Sequence, residues 1–219
     1  MAKNSDKQAA EVFLISPPNL RTIKTRIVGV SPLMVCRFSK KAMDAMMSKH
    51  AAGSQAKKGT AKAARDFDAD FQGARHIAED GWDGIHAGAF RNAMISACRL
   101  VGFKMTLAKL SVFIEADGFD QVDGVPLVRI IGNEPEKNMM HTRNATGVID
   151  LRIRPMWRKW ECDLNIRYDA DQFKIADVLN LLARAGMQVG VCEGRPDSRM
   201  SAGMGMGLFR LATETDETV

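Results

Sequence analysis

Hydrophobic and polar positions along the chain switch several times between strand-like and helix-like spacing. In residues 22–35, Ile23, Thr25 and Ile27 alternate with Lys24, Arg26 and Val28, which predicts a first strand with one basic face. Pro32 interrupts that run, so the chain is expected to bend or change partners there. Residues 39–50 read as a helix, with Ser39 as its N-cap and Ala42, Met43, Met46 and Met47 as an apolar stripe. Helical spacing returns over 65–80 through Phe67, Phe71, Ala74 and Ile77. It is clearest over 85–102, where Phe90, Met94, Ala97 and Val101 share a face and Gly102 supplies a stop.

Two extended runs follow at 107–116 and 125–131, and then a polar, irregular stretch at 132–147. The sharpest period of two comes next. Ile149, Leu151 and Ile153 alternate with Asp150, Arg152 and Arg154; after residues 155–159, Trp160, Cys162, Leu164 and Ile166 alternate with Glu161, Asp163, Asn165 and Arg167. This predicts a hairpin with one buried and one charged face. Asp171 opens a last helix through Ile175, Leu179 and Leu182, with Gly186 as its expected stop. A Gly-rich loop, 190–207, then leads to a short strand over 208–212 and an acidic tail. With the early helical segment set aside, the element order is an enlarged βαββαβ pattern. The expected fold is therefore α+β, a ferredoxin-like or RRM-like core with a helical insertion, an extra β-hairpin and the Gly-rich loop before the last strand. No repeat of solenoid period is present.

Composition fits that expectation: of 219 residues, 46% are hydrophobic and 26% charged, enough to bury a core and too balanced for a disordered chain. One domain over 1–219 is expected, with an N-terminal arm (1–20), a helical and basic-loop insertion (39–84) and an irregular insertion (132–147). Lys and Arg total 31 against 26 acids, a formal charge of +5 that is compatible with a polyanionic partner. No apolar run approaches a membrane span, and residues 12–15 are too short for a signal-peptide core, so a cytoplasmic location without membrane association is expected. Cys36, Cys98, Cys162 and Cys192 lie far apart with no metal-ligand spacing, which reads as reduced thiols and no zinc. Fourteen methionines supply adaptable filler for a core or a partner surface.

The segment most suggestive of function is the Gly-rich loop, where Gly190, Gly194, Gly203, Gly205 and Gly207 accompany Arg195 and Arg199. Such a loop can present backbone N–H groups and guanidinium groups to phosphate or ribose; the alternative is that it merely needs turns. There is no G-x-x-x-x-G-K-[ST] motif, and the glycines precede a strand instead of opening a helix, which disfavours ATP hydrolysis and dinucleotide binding. Two basic groups stand apart from the loop. Lys57, Lys58 and Lys62, with Lys40, Lys41, Lys49, Arg37 and Arg65 around them, make one; Arg152, Arg154, Arg158 and Lys159 gather at the hairpin. These can neutralise phosphates, or can simply be solvated and paired with Glu161 and Asp163. Trp157 is the freer candidate to stack on a base, since Trp160 is in phase with Leu164. Arg143 belongs to the irregular insertion, beside Met139, Met140 and His141. The histidines are scattered and no nucleophile elbow occurs, so no catalytic residue, metal site or cofactor is expected.

The βαββαβ order with a Gly-rich, Arg-containing loop between last helix and last strand resembles the RAMP superfamily, which includes the backbone and RNA-processing subunits of CRISPR effector complexes. The segments SPLMVCRFS, GAFRNAMISACRLVGF and EGRPDSR also resemble uncharacterised bacteriophage proteins. The resemblance implies an RRM-like palm that binds single-stranded RNA or DNA without catalysis, a loop at Gly194, Arg195, Arg199, Gly203 and Gly205 contacting its backbone, and insertions acting as fingers or a thumb. It also implies a homo-oligomer, head to tail, in the cytoplasm of a bacterial host. The aromatic motif of true RRMs is missing, with a single Tyr in the chain. Two alternatives stand beside this reading: a phage structural or assembly protein that self-associates without nucleic acid, and an RNA-processing nuclease using His86 or His141.

Overall fold

The computed structural model describes residues 15–38, 40–51, 65–143, 149–198 and 203–216. Among them the chain is α+β, with three antiparallel sheets and five α-helices. The largest sheet has four strands: β1 (Leu20–Gly29), β4 (Val112–Glu115), β9 (Glu161–Asp169) and β10 (Phe209–Leu211), in the order β10-β1-β9-β4. β1 and β9 pair along their whole length, from Leu20 opposite Asp169 to Val28 opposite Glu161. This register puts Ile23 and Ile27 on the same face as Cys162, Leu164, Ile166 and Tyr168. The other face carries charges, with Arg26 directly opposite Asp163 and joined to it by two hydrogen bonds of 2.8 and 3.0 Å.

Helices α3 (Ala87–Ala97) and α5 (Ile175–Arg184) cover the apolar face. α5 buries Val178, Leu181 and Leu182, the i, i+3, i+4 set expected of an amphipathic helix. α3 contributes Phe90, whose ring meets Phe209 edge-on at 5.8 Å, and Trp160 meets Phe209 in the same manner at 6.2 Å. The indole of Trp160 is buried with its N–H donated to the Ser31 carbonyl at 2.9 Å, so its polar atom is satisfied.

The two smaller sheets are β2 (Leu33–Met34), β8 (Ile149–Trp157) and β7 (Glu136–Arg143), in the order β2-β8-β7, and β3 (Gly84–His86), β6 (Pro126–Arg129) and β5 (Gly118–Phe119), in the order β3-β6-β5. The remaining helices are α1 (Lys40–Ala51), α2 (Phe67–Gly73) and α4 (Met105–Ser111). The chain changes sheets at Pro32: β1 belongs to the four-stranded sheet and β2 to the β8 sheet.

Four sequence expectations are corrected. The 149–153 and 160–166 runs are strands, but they do not pair as a hairpin; β8 pairs with β2 and β7 while β9 pairs with β1 and β4. The buried residues Trp157 and Trp160 turn the chain between sheets, so the two apolar faces serve different layers. Over 107–116 only Val112–Glu115 is extended. Met105–Ser111 is a helix that buries Ala108 and Ser111 one turn apart and leaves Leu110 exposed, because good helix formers outweigh a short alternation. The stretch 132–147, expected to be irregular, contains β7, an edge strand held by its register on β8 and lacking an apolar period of its own. Finally, Gly186 does not stop the last helix. The chain continues as a π turn (Ala185–Val189) to Gly190, and a Cβ on Gly186 would overlap the Phe209 carbonyl.

Candidate nucleic-acid interface

The Gly-rich loop is knitted into the β2 end of the molecule. Gly207 donates its N–H to the Pro32 carbonyl at 2.8 Å and accepts from Val191 at 3.0 Å. The Gly194 carbonyl accepts from Met204 and Met206 at 2.8 and 3.1 Å, and Glu193 N–H meets the Met34 carbonyl at 3.0 Å. These bonds account for much of the glycine content by turn geometry and close approach. Gly194 is buried against the side chains of Met204 and Met206, and Gly203 lies against Pro196. Gly205, by contrast, has no neighbouring heavy atom within 4 Å of where a Cβ would stand.

The fold brings part of the hairpin's basic group to this loop. Arg154 on β8 reaches Glu193 with its Nε 2.5 Å from Oε2. Arg152, one pleat away, points along the same side of β8, with its side chain 38% exposed and its nearest acid, Asp150, at 3.9 Å. Arg195 is half-buried and donates to the Cys192 carbonyl at 2.9 Å. The Arg154–Glu193 ion pair thus joins β8 to the loop that carries Arg195, with Asp150 beside Arg152 and Asp197 near Arg195 as the other acids of this end among the described residues.

Other candidates lie elsewhere. Arg158 is six residues beyond Arg152, about 20 Å along a strand, and both carboxylate oxygens of Glu136 stand 2.9 Å from its Nε. Trp157 is 3% exposed within the core, so it offers no ring face to a base; the corner between β8 and β9 needs its bulk inside. The backbone of Arg143 sits in β7 opposite Ile149. Lys57, Lys58, Lys62 and Arg199 lie outside the described residues. Of the two histidines considered for chemistry, His86 caps α3, its Nδ1 accepting from Gly88 N–H at 2.8 Å, and His141 stands in β7 opposite Leu151.

Sequence reasoning missed the residues that hold the loop in place. Glu193 and Asp197 are unremarkable in sequence, since their partners Arg154, Ser96 and Arg99 are far away along the chain. Asp197 accepts a hydrogen bond from the Ser96 hydroxyl and another from Arg99 Nη2 at 2.7 Å, tying the loop to the end of α3. The Ser96 hydroxyl, helped by Arg99, holds the Asp197 carboxyl below the usual carboxylate range. Its folded-state value is depressed, so the tie is complete above the ordinary carboxylate pKa of about 4 and is lost as pH falls through the lower folded value. Amide exchange over residues 190–198 should therefore accelerate on acidification, and Asp197→Ala should show the fast exchange already at neutral pH. Equal exchange in the two proteins at neutral pH would remove this role from Asp197.

The four cysteines are free thiols. Desolvation pushes Cys36 up and Cys192 up to about 12, so neither offers a thiolate beside the arginines at neutral pH. No described helix is long and apolar enough to cross a membrane. The sequence matches no protein-family model, and no curated protein matches it.

Proposed function

We propose that the protein binds single-stranded nucleic acid through its sugar-phosphate backbone, without catalysis, on the surface formed by β8 and the Gly-rich loop. The observation that carries this reading is the Arg154–Glu193 ion pair, which joins β8, with Arg152, to the Gly-rich loop, with Arg195. Neither Arg152 nor Arg195 has a carboxylate oxygen at hydrogen-bond distance among the described residues, which leaves two guanidinium groups that phosphates would engage. The four-stranded sheet gives further support. Taken in chain order, β1, β4, β9 and β10 stand in the order 4-1-3-2 with α3 between β1 and β4 and α5 between β9 and β10, an order that supports reading the sheet as a ferredoxin-like core. That plan is shared with the RAMP superfamily, in which the Gly-rich loop occupies the same topological place. The open sheet face is the weaker platform, because Arg26 is engaged by Asp163, Arg210 by Asp216 and Arg167 lies 3.9 Å from Glu115, which leaves Lys24 as its other exposed cation among the described residues. Binding is therefore assigned to the loop end of the molecule.

The test is a fluorescence-anisotropy titration with labelled single-stranded RNA and, separately, DNA over a range of salt. Saturable binding to at least one of them, weakening as salt rises, is the expected result. Absence of salt-sensitive binding to both would end the proposal.

Self-assembly, as in a phage structural protein, is the second reading. It draws on the ribbon of β7 and β8, where Met139, Ile149 and Leu151 are exposed beside a free strand edge. It predicts large assemblies without nucleic acid and indifference to Arg195→Ala in size-exclusion chromatography.

A further inference from the structure

Away from the Gly-rich loop, at the far end of the short sheet, His76, Asp120 and Asp123 bring one nitrogen and two carboxylate oxygens within 4.8 Å of one another. The local backbone explains how. Residues 120–125 form a turn closed by Asp120 N–H to the Val125 carbonyl at 2.9 Å and Gly124 N–H to the Asp120 carbonyl at 2.9 Å, which sets Asp120 and Asp123 on the same side. A β-bridge between Ala78 and Asp120, with Gln121 N–H on the Ile77 carbonyl at 3.0 Å, fixes that turn against the His76 strand.

The carboxylate of Asp120 is fully buried and its two oxygens are differentiated. Oδ1 accepts the Val122 N–H at 2.8 Å, whereas Oδ2 lies 2.7 Å from His76 Nδ1, on the side where Asp123 stands. Arg37 approaches from behind. Its side chain is 8% exposed, its Nη1 is 3.7 Å from Asp120 Oδ1, and that nitrogen has no hydrogen-bond partner. A buried guanidinium N–H without an acceptor is costly, and a small shift of the Asp120 carboxylate toward Arg37 would complete it on the outer oxygen. Nature's metal sites are built in this way, with a ligating carboxylate held by donors on its outer oxygen.

We infer that His76, Asp120 and Asp123 form a divalent transition-metal site of N,O,O type, with Arg37 and the Val122 N–H as its outer support. One imidazole and two carboxylates select Zn²⁺ or Mn²⁺ over Mg²⁺ and Ca²⁺, which favour all-oxygen sets. Asp123 is exposed, so a coordination position on that side faces solvent, available to water or to an anionic oxygen. The charges balance: two carboxylates and Arg37 sum to −1 before the ion and +1 after it. Bound metal would clamp the 120–125 turn to the His76 strand. This inference is independent of nucleic-acid binding.

The test uses the full chain, stripped with chelator and then titrated with Zn²⁺, Mn²⁺ and Mg²⁺ by calorimetry, with metal content measured after dialysis. One Zn²⁺ per chain is expected, with Mn²⁺ weaker and Mg²⁺ weaker still. Asp123→Asn removes an exposed ligand without touching the core and should lower Zn²⁺ affinity at least tenfold, while Asp80→Asn, an exposed acid outside the cluster, should leave it unchanged. Co²⁺ in place of Zn²⁺ should give a visible absorption band that Asp123→Asn shifts or abolishes. No stoichiometric Zn²⁺, or Zn²⁺ bound equally by the wild-type and Asp123→Asn proteins, would overturn the assignment.

Discussion

Replacing Arg152 and Arg195 together by alanine is expected to weaken the proposed binding of single-stranded nucleic acid by roughly a hundredfold at moderate salt. Each guanidinium is expected to make one charge-assisted contact worth about 1.5 kcal/mol, and two such losses sum to about 3 kcal/mol. Salt dependence provides the sharper readout. With about 0.7 counterions released per phosphate neutralised on a single strand, the slope of log affinity against log salt should flatten by about 1.4. Arg154 is left in place because its ion pair with Glu193 holds the loop against β8, and removing it would confound lost contact with lost architecture. Arg158→Ala is the matched control. It removes one positive charge just past the end of β8, where Glu136 already engages it, and should change affinity less than twofold. An Arg158→Ala loss as large as the double variant's would mean that affinity follows net charge and not this surface. Unchanged affinity in the double variant would displace the surface altogether.

The contrast between Arg152 and Arg158 shows where sequence was informative and where it was not. Both lie in one short basic run, and nothing local separates them. The pairing of β8 with β7 decides the matter, because it sets Glu136 opposite Met156 and within reach of Arg158. Elements whose stability is local were legible: the α3 face through Phe90, Met94 and Ala97, and the sheet change at Pro32; of the α5 face expected from Ile175, Leu179 and Leu182, only Leu182 is buried, beside Val178 and Leu181. Elements that depend on distant partners were not. β7 has no apolar period and owes its shape to β8, and the 107–111 run alternates like a strand while folding as a helix. Trp157 failed for a related reason. The two residues after it, Arg158 and Lys159, are charged, yet the chain passes between two sheets at that point and turns its ring inward. The His76–Asp120 contact spans 44 residues and depends on a β-bridge that no spacing rule encodes.

The Gly-rich loop contains its own internal comparison, and substituting Gly207 should cost far more than substituting Gly205. Both have φ of +67°, a left-handed backbone that costs an alanine about 1–2 kcal/mol. At Gly205 the space around the missing Cβ is open, so Gly205→Ala should show only that conformational cost. At Gly207 the new Cβ would overlap the Val191 carbonyl, and relief requires moving the strand-like ladder in which Gly207 bridges Val191 and Pro32. Overpacking of this sort adds about 1–3 kcal/mol, for a total of about 2–5 kcal/mol in urea unfolding. The Val191–Gly207–Pro32 ladder also carries the loop that presents Arg195, so Gly207→Ala should weaken the proposed nucleic-acid binding at temperatures where the protein remains folded, whereas Gly205→Ala should not. Equal destabilisation by the two substitutions would show that the ladder yields freely, and that conformation alone explains why glycine stands at both positions.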